Sequence, residues 1–122
     1  LNKNQKSING REILIVGVAY KKNIDDCRES PSLDIIELLE KAGCKVSYFD
    51  PYVPHLNYNN IKLNSLKTIN VENIKSFDAS VIITDHSNID YKLIASSSDL
   101  IIDTRNVFKD LNNKNILRLG EG

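Results

Sequence analysis

Apolar residues run almost unbroken from Ile13 to Tyr20, just behind Arg11 and Glu12. A run of this length and character predicts a strand buried on both faces, as in a parallel sheet covered by helices. A polar segment from Lys21 to Ser30 follows. Ser30-Pro31 then offers a helix N-cap and a proline at the first helical position, where its missing N–H is not needed. Leu33, Ile35, Ile36, Leu38, Leu39 and Ala42 form a broad apolar face, with Asp34, Glu37, Glu40 and Lys41 outside it, and Gly43 is a natural stop. Lys45-Val46-Ser47-Tyr48-Phe49 predicts a second strand, closed by Asp50-Pro51. Together these segments make a β-α-β unit.

Residues 52–70 are polar and rich in Asn, with a weak strand pattern from Ile61 to Leu66. Asn70 caps a short helix predicted from Val71 to Phe77. Ala79 to Thr84 predicts a third core strand ending at Asp85-His86, Asp90 to Ser97 a short helix, and Leu100-Ile101-Ile102 a fourth core strand ending at Asp103-Thr104-Arg105. The tail from Lys109 is polar and predicted to be peripheral. Strands alternating with helices over short connections predict a single α/β domain, a doubly wound and mainly parallel sheet with flanking helices.

Composition narrows the function classes. The chain has 122 residues, a one-domain length. Sixteen Lys and Arg balance sixteen Asp and Glu, for a formal net charge of zero, which argues against holding nucleic acid or an anionic membrane by bulk charge. No segment approaches the roughly 18 consecutive apolar residues of a membrane span, and the first ten residues lack the apolar core of a signal peptide. A cytoplasmic protein is expected. Cys27 and Cys44 form no CxxC pair, and His55 and His86 stand apart with no second ligand at metal spacing; two reduced thiols and no metal site are expected. There is no Met, and the chain opens on the polar stretch Leu1-Asn2-Lys3-Asn4-Gln5-Lys6. Either the start is processed away or residues 1–10 are a linker inside a longer polypeptide.

Ligands of open α/β sheets bind outside the carboxyl ends of the strands. Four polar clusters fall there: Tyr20-Lys21-Lys22, Asp50-Pro51, Thr84-Asp85-His86 and Asp103-Thr104-Arg105-Asn106. Asp50 occupies the place where dinucleotide folds hold a ribose hydroxyl. Yet the first turn has neither GxGxxG nor GxxxxGK[ST], so any phosphate there must be met by side chains such as Lys21, Lys22 and Arg28. The competing reading is a solvated charged loop, because Asp25, Asp26 and Glu29 balance those cations. Arg105 directly follows a buried strand, and a guanidinium suits bidentate contact with phosphate or carboxylate; its competing reading is an ion pair with Asp103. Cys27 beside Arg28 has no evident base partner, and neither has His86, which reads better as a surface or hydrogen-bonded histidine.

These residues carry a family likeness. Gly17-Val18-Ala19-Tyr20-Lys21, Asp25-Asp26-Cys27-Arg28-Glu29-Ser30-Pro31, Gly43 and Asp50-Pro51-Tyr52-Val53-Pro54 resemble the signature GxAYK…DDxRESP…G…DPYxP. It opens the C-terminal, UDP-binding domain of the UDP-glucose/GDP-mannose dehydrogenase family. Thr84-Asp85-His86 with Asp90-Tyr91, and Asp103-Thr104-Arg105-Asn106, are similar to that domain's later motifs in the same order. The likeness covers about residues 11–108, and its details resemble most the UDP-N-acetylglucosamine 6-dehydrogenase branch.

The resemblance implies a Rossmann-like domain, here residues 11–122 behind the linker, belonging to an NAD-dependent oxidoreductase. Such an enzyme oxidises C6 of a UDP-sugar, glucose, N-acetylglucosamine or N-acetylmannosamine, to the uronate. In the family an N-terminal domain holds NAD, and a central helical domain carries the catalytic Cys and forms a homodimer. Tyr20, Lys21 and Arg105 match substrate-binding positions, and Arg28 matches an Arg that reaches NAD. Neither Cys27 nor Cys44 lies in a GGxCxPxD-like setting, so this chain alone is expected to be inactive. Two rivals stand beside this reading: a noncatalytic nucleotide-binding or regulatory module of the same fold, and a receiver-type signalling domain. The receiver needs its acidic pair directly after the first strand and a Lys after the last core strand, where this chain has Lys21 and Arg105.

Overall fold

The structure is a computed structural model that describes residues 9–19, 30–58, 61–108 and 115–118. The elements in chain order are β1 (Glu12–Val16), α1 (Pro31–Lys41), β2 (Lys45–Phe49), β3 (His55–Tyr58), β4 (Ile61–Asn64), α2 (Val71–Lys75), β5 (Ala79–Ile82), α3 (Tyr91–Ser97), β6 (Ile101–Asp103) and β7 (Ile116–Arg118). Five strands form a parallel sheet in the order β2-β1-β5-β6-β7. The doubly wound α/β architecture expected from the sequence is therefore present. β1 lies in the interior of the sheet, with Ile15 opposite Tyr48 on one side and Val81 on the other.

Period-two alternation divides β1 between two core layers. Ile15 joins Leu33 and Ile36 of α1 on one face, together with Val46, Tyr48 and Val81. Leu14 and Val16 join Ile74 of α2, Ile94 of α3 and Ile101 on the other. Full burial of an aliphatic side chain contributes about 1.5–3 kcal/mol, so the strand that feeds both layers anchors the domain. Leu38 departs from the expected apolar face of α1, being 67% exposed. At about 100° per residue it lies roughly 140° around the helix from Leu33, too far to reach the sheet.

Local chemistry fixes α1 at both ends. Ser30 Oγ accepts from Ser32 N at 3.1 Å, and Pro31 follows the cap. At the other end Gly43 takes φ +93°, with Gly43 N–H on Glu40 O and Cys44 N–H on Leu39 O, both 3.0 Å. That pair of bonds is a Schellman stop, which favours glycine at its left-handed position. α2 is closed by reciprocal bonds of 2.8 Å between Asn70 and Asn73.

Two strands escape the sequence pattern. β3 pairs antiparallel with β4 as a hairpin whose Leu56 and Ile61 pack on the α1 layer. β7 lies within the tail expected to be peripheral, yet it forms the fifth strand, with Ile101 opposite Ile116. Asn115 Nδ2 donates to Ser98 O at 2.9 Å and Ala95 O at 3.3 Å, tying β7 to the end of α3. Among the described residues no helix is long and apolar enough to cross a membrane.

Candidate functional site

β1 connects through α1 to β2 on one side, while β5 lies on its other side. The crevice at such a reversal, outside the carboxyl ends of the strands, is the binding position of open α/β sheets. Here that position lies at the exits of β1 and β5, with the β6 exit one strand further along.

The β1 exit is held from three directions. Gly17 has φ +86° and donates to Phe49 O at 2.9 Å. Val18 and Ala19, both fully buried, donate their N–H groups to Asp50 Oδ2 at 2.8 and 3.1 Å. Their carbonyls are taken as well: Ser32 Oγ donates to Val18 O at 2.9 Å, and Thr84 Oγ1 donates to Ala19 O at 2.6 Å. The next residue in the chain is Tyr20. Tyr20, Lys21, Cys27 and Arg28 lie outside the described residues.

Asp50 corrects the sequence expectation. Its position is the ribose-binding one, but its carboxylate is only 1% exposed and faces the protein. Oδ1 accepts Tyr52 N–H at 2.8 Å, and Oδ2 accepts His86 Nε2–H at 2.9 Å in addition to the two β1 amides. A ribose hydroxyl has no free oxygen to meet there. The amides of Val18 and Ala19 likewise donate to Asp50 and not to a pyrophosphate. The described residues therefore do not fit NAD as a dinucleotide fold holds it.

His86 also changes character. It has a partner that the sequence did not disclose, but its side chain is fully buried and its ring packs against Tyr52 at 4.8 Å between centroids. A substrate cannot reach it, which argues against general-base catalysis. The backbone N–H of His86 donates to Tyr91 Oη at 3.0 Å, and Tyr91 O–H faces Thr84 O at 3.3 Å.

Burial, and secondarily the Asp85 carboxylate, pushes the Tyr91 phenol well above its ordinary value of 10.0. Above pH 10 the folded chain keeps a proton that the unfolded chain releases. The stabilisation is complete below that pH and falls as pH rises, at no more than about 1.4 kcal/mol per pH unit. Solvent contact keeps the slope below that limit. Urea unfolding of the chain and of Tyr91→Phe between pH 9 and 11.5 tests this. The wild-type stability should decline more steeply with pH, and parallel profiles would contradict the assignment.

The β6 exit is organised by a second inward carboxylate. Asp103 is fully buried; its Oδ1 accepts from Arg105 N and Val107 N at 3.1 Å each, and its Oδ2 from Phe108 N at 2.9 Å. The turn passes through Asn106 at φ +59°, a conformation that Asn tolerates better than most residues. Thr104 Oγ1 fastens the turn to β5 through Ile82 O at 2.6 Å. Arg105 is exposed, and Asp103 engages its backbone N–H, not its guanidinium. Among the described residues Arg105 forms no ion pair, so its charge is available to an anionic ligand at the sheet's carboxyl edge.

Cys44 is buried at the start of β2, the opposite end of the sheet from the crevice. Among the described residues no group of three or more His, Cys, Asp or Glu gathers closely enough to hold a metal ion. A cleft of about 470 Å³ opens between the β2 exit and the β3–β4 hairpin, lined by Phe49, Asp50, Pro51, His55, Leu66 and Lys67 among others.

Comparison with known proteins places this geometry in a family. Residues 14–110 match the UDP-glucose/GDP-mannose dehydrogenase family, UDP binding domain. A UDP-N-acetyl-D-mannosamine dehydrogenase of Methanococcus maripaludis is 32% identical over 114 residues, covering 87% of this chain and 25% of that protein. A UDP-glucose 6-dehydrogenase of Rickettsia bellii is 30% identical over 119 residues, covering 85% of this chain and 26% of its own length. The solved structure of UDP-D-ManNAc dehydrogenase from Pyrococcus horikoshii superposes with a TM-score of 0.72 at 27% identity, covering 98% of this chain and 28% of that one. An NDP-N-acetyl-D-galactosaminuronic acid dehydrogenase from Methanosarcina mazei gives 0.68 at 30% identity, with 98% of this chain and 26% of that one covered. The chain thus spans about a quarter of the length of the relatives it matches. With the match running from the third residue of β1 to beyond the Arg105 turn, this chain belongs to the UDP-glucose/GDP-mannose dehydrogenase family and corresponds to its UDP binding domain.

Proposed function

We propose that this chain binds the UDP portion of a nucleotide sugar for an NAD-dependent 6-dehydrogenase, with the diphosphate in the crevice between the β1 and β5 exits. What carries this reading is the Arg105 turn: a buried Asp103 shapes the backbone and leaves the guanidinium exposed where open α/β sheets take their ligands. Tyr20 and Lys21 continue directly from the fixed β1 exit, and the family resemblance assigns both to substrate, with Lys21 near phosphate or sugar. Arg28 is assigned by the same resemblance to NAD held by another domain. Residues 11–122 are the domain in this reading, and residues 1–10 the linker leading into it.

The sugar is N-acetylmannosamine, glucose or N-acetylglucosamine; dehydrogenases for the first two are among the relatives. Oxidation of its C6 hydroxymethyl group to a carboxylate removes two hydrides and adds one water oxygen, so two NAD molecules are reduced. The nucleophilic Cys and the main NAD site belong to other domains of a homodimeric, cytoplasmic enzyme. This chain alone therefore releases no NADH from a UDP-sugar.

Lys21→Ala and Arg105→Ala test the reading by calorimetric titration of the chain with UDP. Loss of one charge-assisted phosphate contact is worth about 1.5–3 kcal/mol, so each variant should bind about ten-fold more weakly or worse. Unchanged affinity in a folded variant would overturn the assignment of that residue.

A further inference from the structure

We infer that Asp50 and His86 are a positioning pair whose buried hydrogen bond fixes the β1 exit and thereby sets the affinity for the nucleotide diphosphate. The inference rests on the reading of the crevice as the UDP site.

Three exits converge on one carboxylate. Asp50 belongs to the β2 exit, Val18 and Ala19 to β1, and His86 to β5. Asp50 Oδ2 takes three donors, two backbone amides and His86 Nε2–H, while Oδ1 takes Tyr52 N–H. Lone pairs on one oxygen are directional, so the donor from β5 settles how the carboxylate is turned towards the β1 amides. Without it, Oδ2 keeps two amides but loses the tether that refers them to β5. The second tether to β5, Thr84 Oγ1 on Ala19 O, holds only the carbonyl side.

Functional consequence follows from the amides being occupied. In a Gly-rich phosphate turn the backbone N–H groups meet the phosphate directly. Here they are tied back to Asp50, so diphosphate must be met by side chains, and the edge of the site that it meets is set by how Val18 and Ala19 are held between Asp50 and Thr84. A hydrogen bond to a phosphate oxygen weakens steeply as its distance and angle depart from the preferred geometry. Asp50 and His86 are themselves buried. They touch no ligand, and their effect passes through Val18 and Ala19.

His86→Phe keeps an aromatic ring against Tyr52 and removes the donor; His86→Gln keeps a donor on a more flexible arm. In the ligand-free chain, His86→Phe should move the amide resonances of Val18 and Ala19 and lower their exchange protection, leaving those of Val107 and Phe108 unchanged. Its UDP affinity should fall about five-fold or more, with partial recovery in His86→Gln. Ile94→Val, in the opposite core layer, serves as the destabilised control and should bind UDP as the wild type does. Unaltered Val18 and Ala19 amides in folded His86→Phe would overturn the positioning role, whether or not UDP binds. Displaced amides with unaltered UDP affinity would overturn the link to the diphosphate. Absence of UDP binding by the wild type would overturn the functional reading together with that link, while the ligand-free spectra would still decide the positioning role.

Discussion

Replacing Gly17 with alanine should destabilise the domain by about 2–5 kcal/mol. Two effects add. Gly17 has φ +86°, and an L-residue in the left-handed region incurs about 1–2 kcal/mol of strain. An added Cβ would also lie 2.5 Å from Thr84 O, 2.7 Å from Thr84 Cβ and 2.9 Å from Thr84 N. The obstacle is mainly the backbone of β5's exit, which cannot swing aside as a side chain would. Relieving it means separating β1 from β5, and forced overpacking of that kind typically costs a further 1–3 kcal/mol or so. Single domains have about 5–15 kcal/mol in total, so the variant should unfold at a far lower urea concentration, or fail to fold. A midpoint within about 1 kcal/mol of wild type would mean that the β1 and β5 exits are not packed as described.

Asp103→Ala carries the second largest effect. Arg105, Val107 and Phe108 would lose the acceptor of their N–H groups. An unsatisfied buried donor costs about 1–3 kcal/mol. The amide of Phe108 lies in the core, whereas those of Arg105 and Val107 are nearer water. A total of about 3 kcal/mol follows, measurable as a shift in the urea midpoint. Asp103→Asn retains an acceptor oxygen and should lose about 1 kcal/mol. Both variants loosen the turn that presents Arg105, so UDP affinity should fall more in Asp103→Ala than in Asp103→Asn. Equal stability of the two would show that acceptor capacity at this position is not what holds the turn.

Local signals explain why α1 could be read from sequence from cap to stop. Ser30, Pro31 and Gly43 act within a few residues of where they stand, and the helix begins and ends where they say. β1 was legible because it is apolar on both faces, as a central parallel strand must be. β3 and β7 offered no such signature: β3 buries Leu56 among polar neighbours, and β7 buries Ile116 while Leu117 remains 51% exposed. Neighbours supplied by topology make these strands, in the hairpin partner β4 and the sheet edge β6. The periodic pattern also overreached at Leu38, where an apolar residue lies too far around the helix.

The site divides in the same way. Arg105 could be singled out because a strand end followed by an arginine is a local pattern with a stated geometry. The Asp50–His86 bond could not, because 36 residues separate its partners and only the sheet order brings β2's exit against β5's. Asp50 is the instructive case: its position suggested a ligand contact, and the structure turns its carboxylate inward to hold the chain's own amides.

The diphosphate of UDP should be received at the β1, β5 and β6 exits. Titrating the isotope-labelled chain with UDP and following its backbone amides tests this most directly. Saturable shifts should gather at Val18, Ala19, Thr84 to His86 and Thr104 to Asn106, with uridine giving much smaller changes at the same concentration. Saturable shifts centred instead on His55, Leu66 and Lys67, at the cleft beside the hairpin, or no saturable shifts at all, would contradict it.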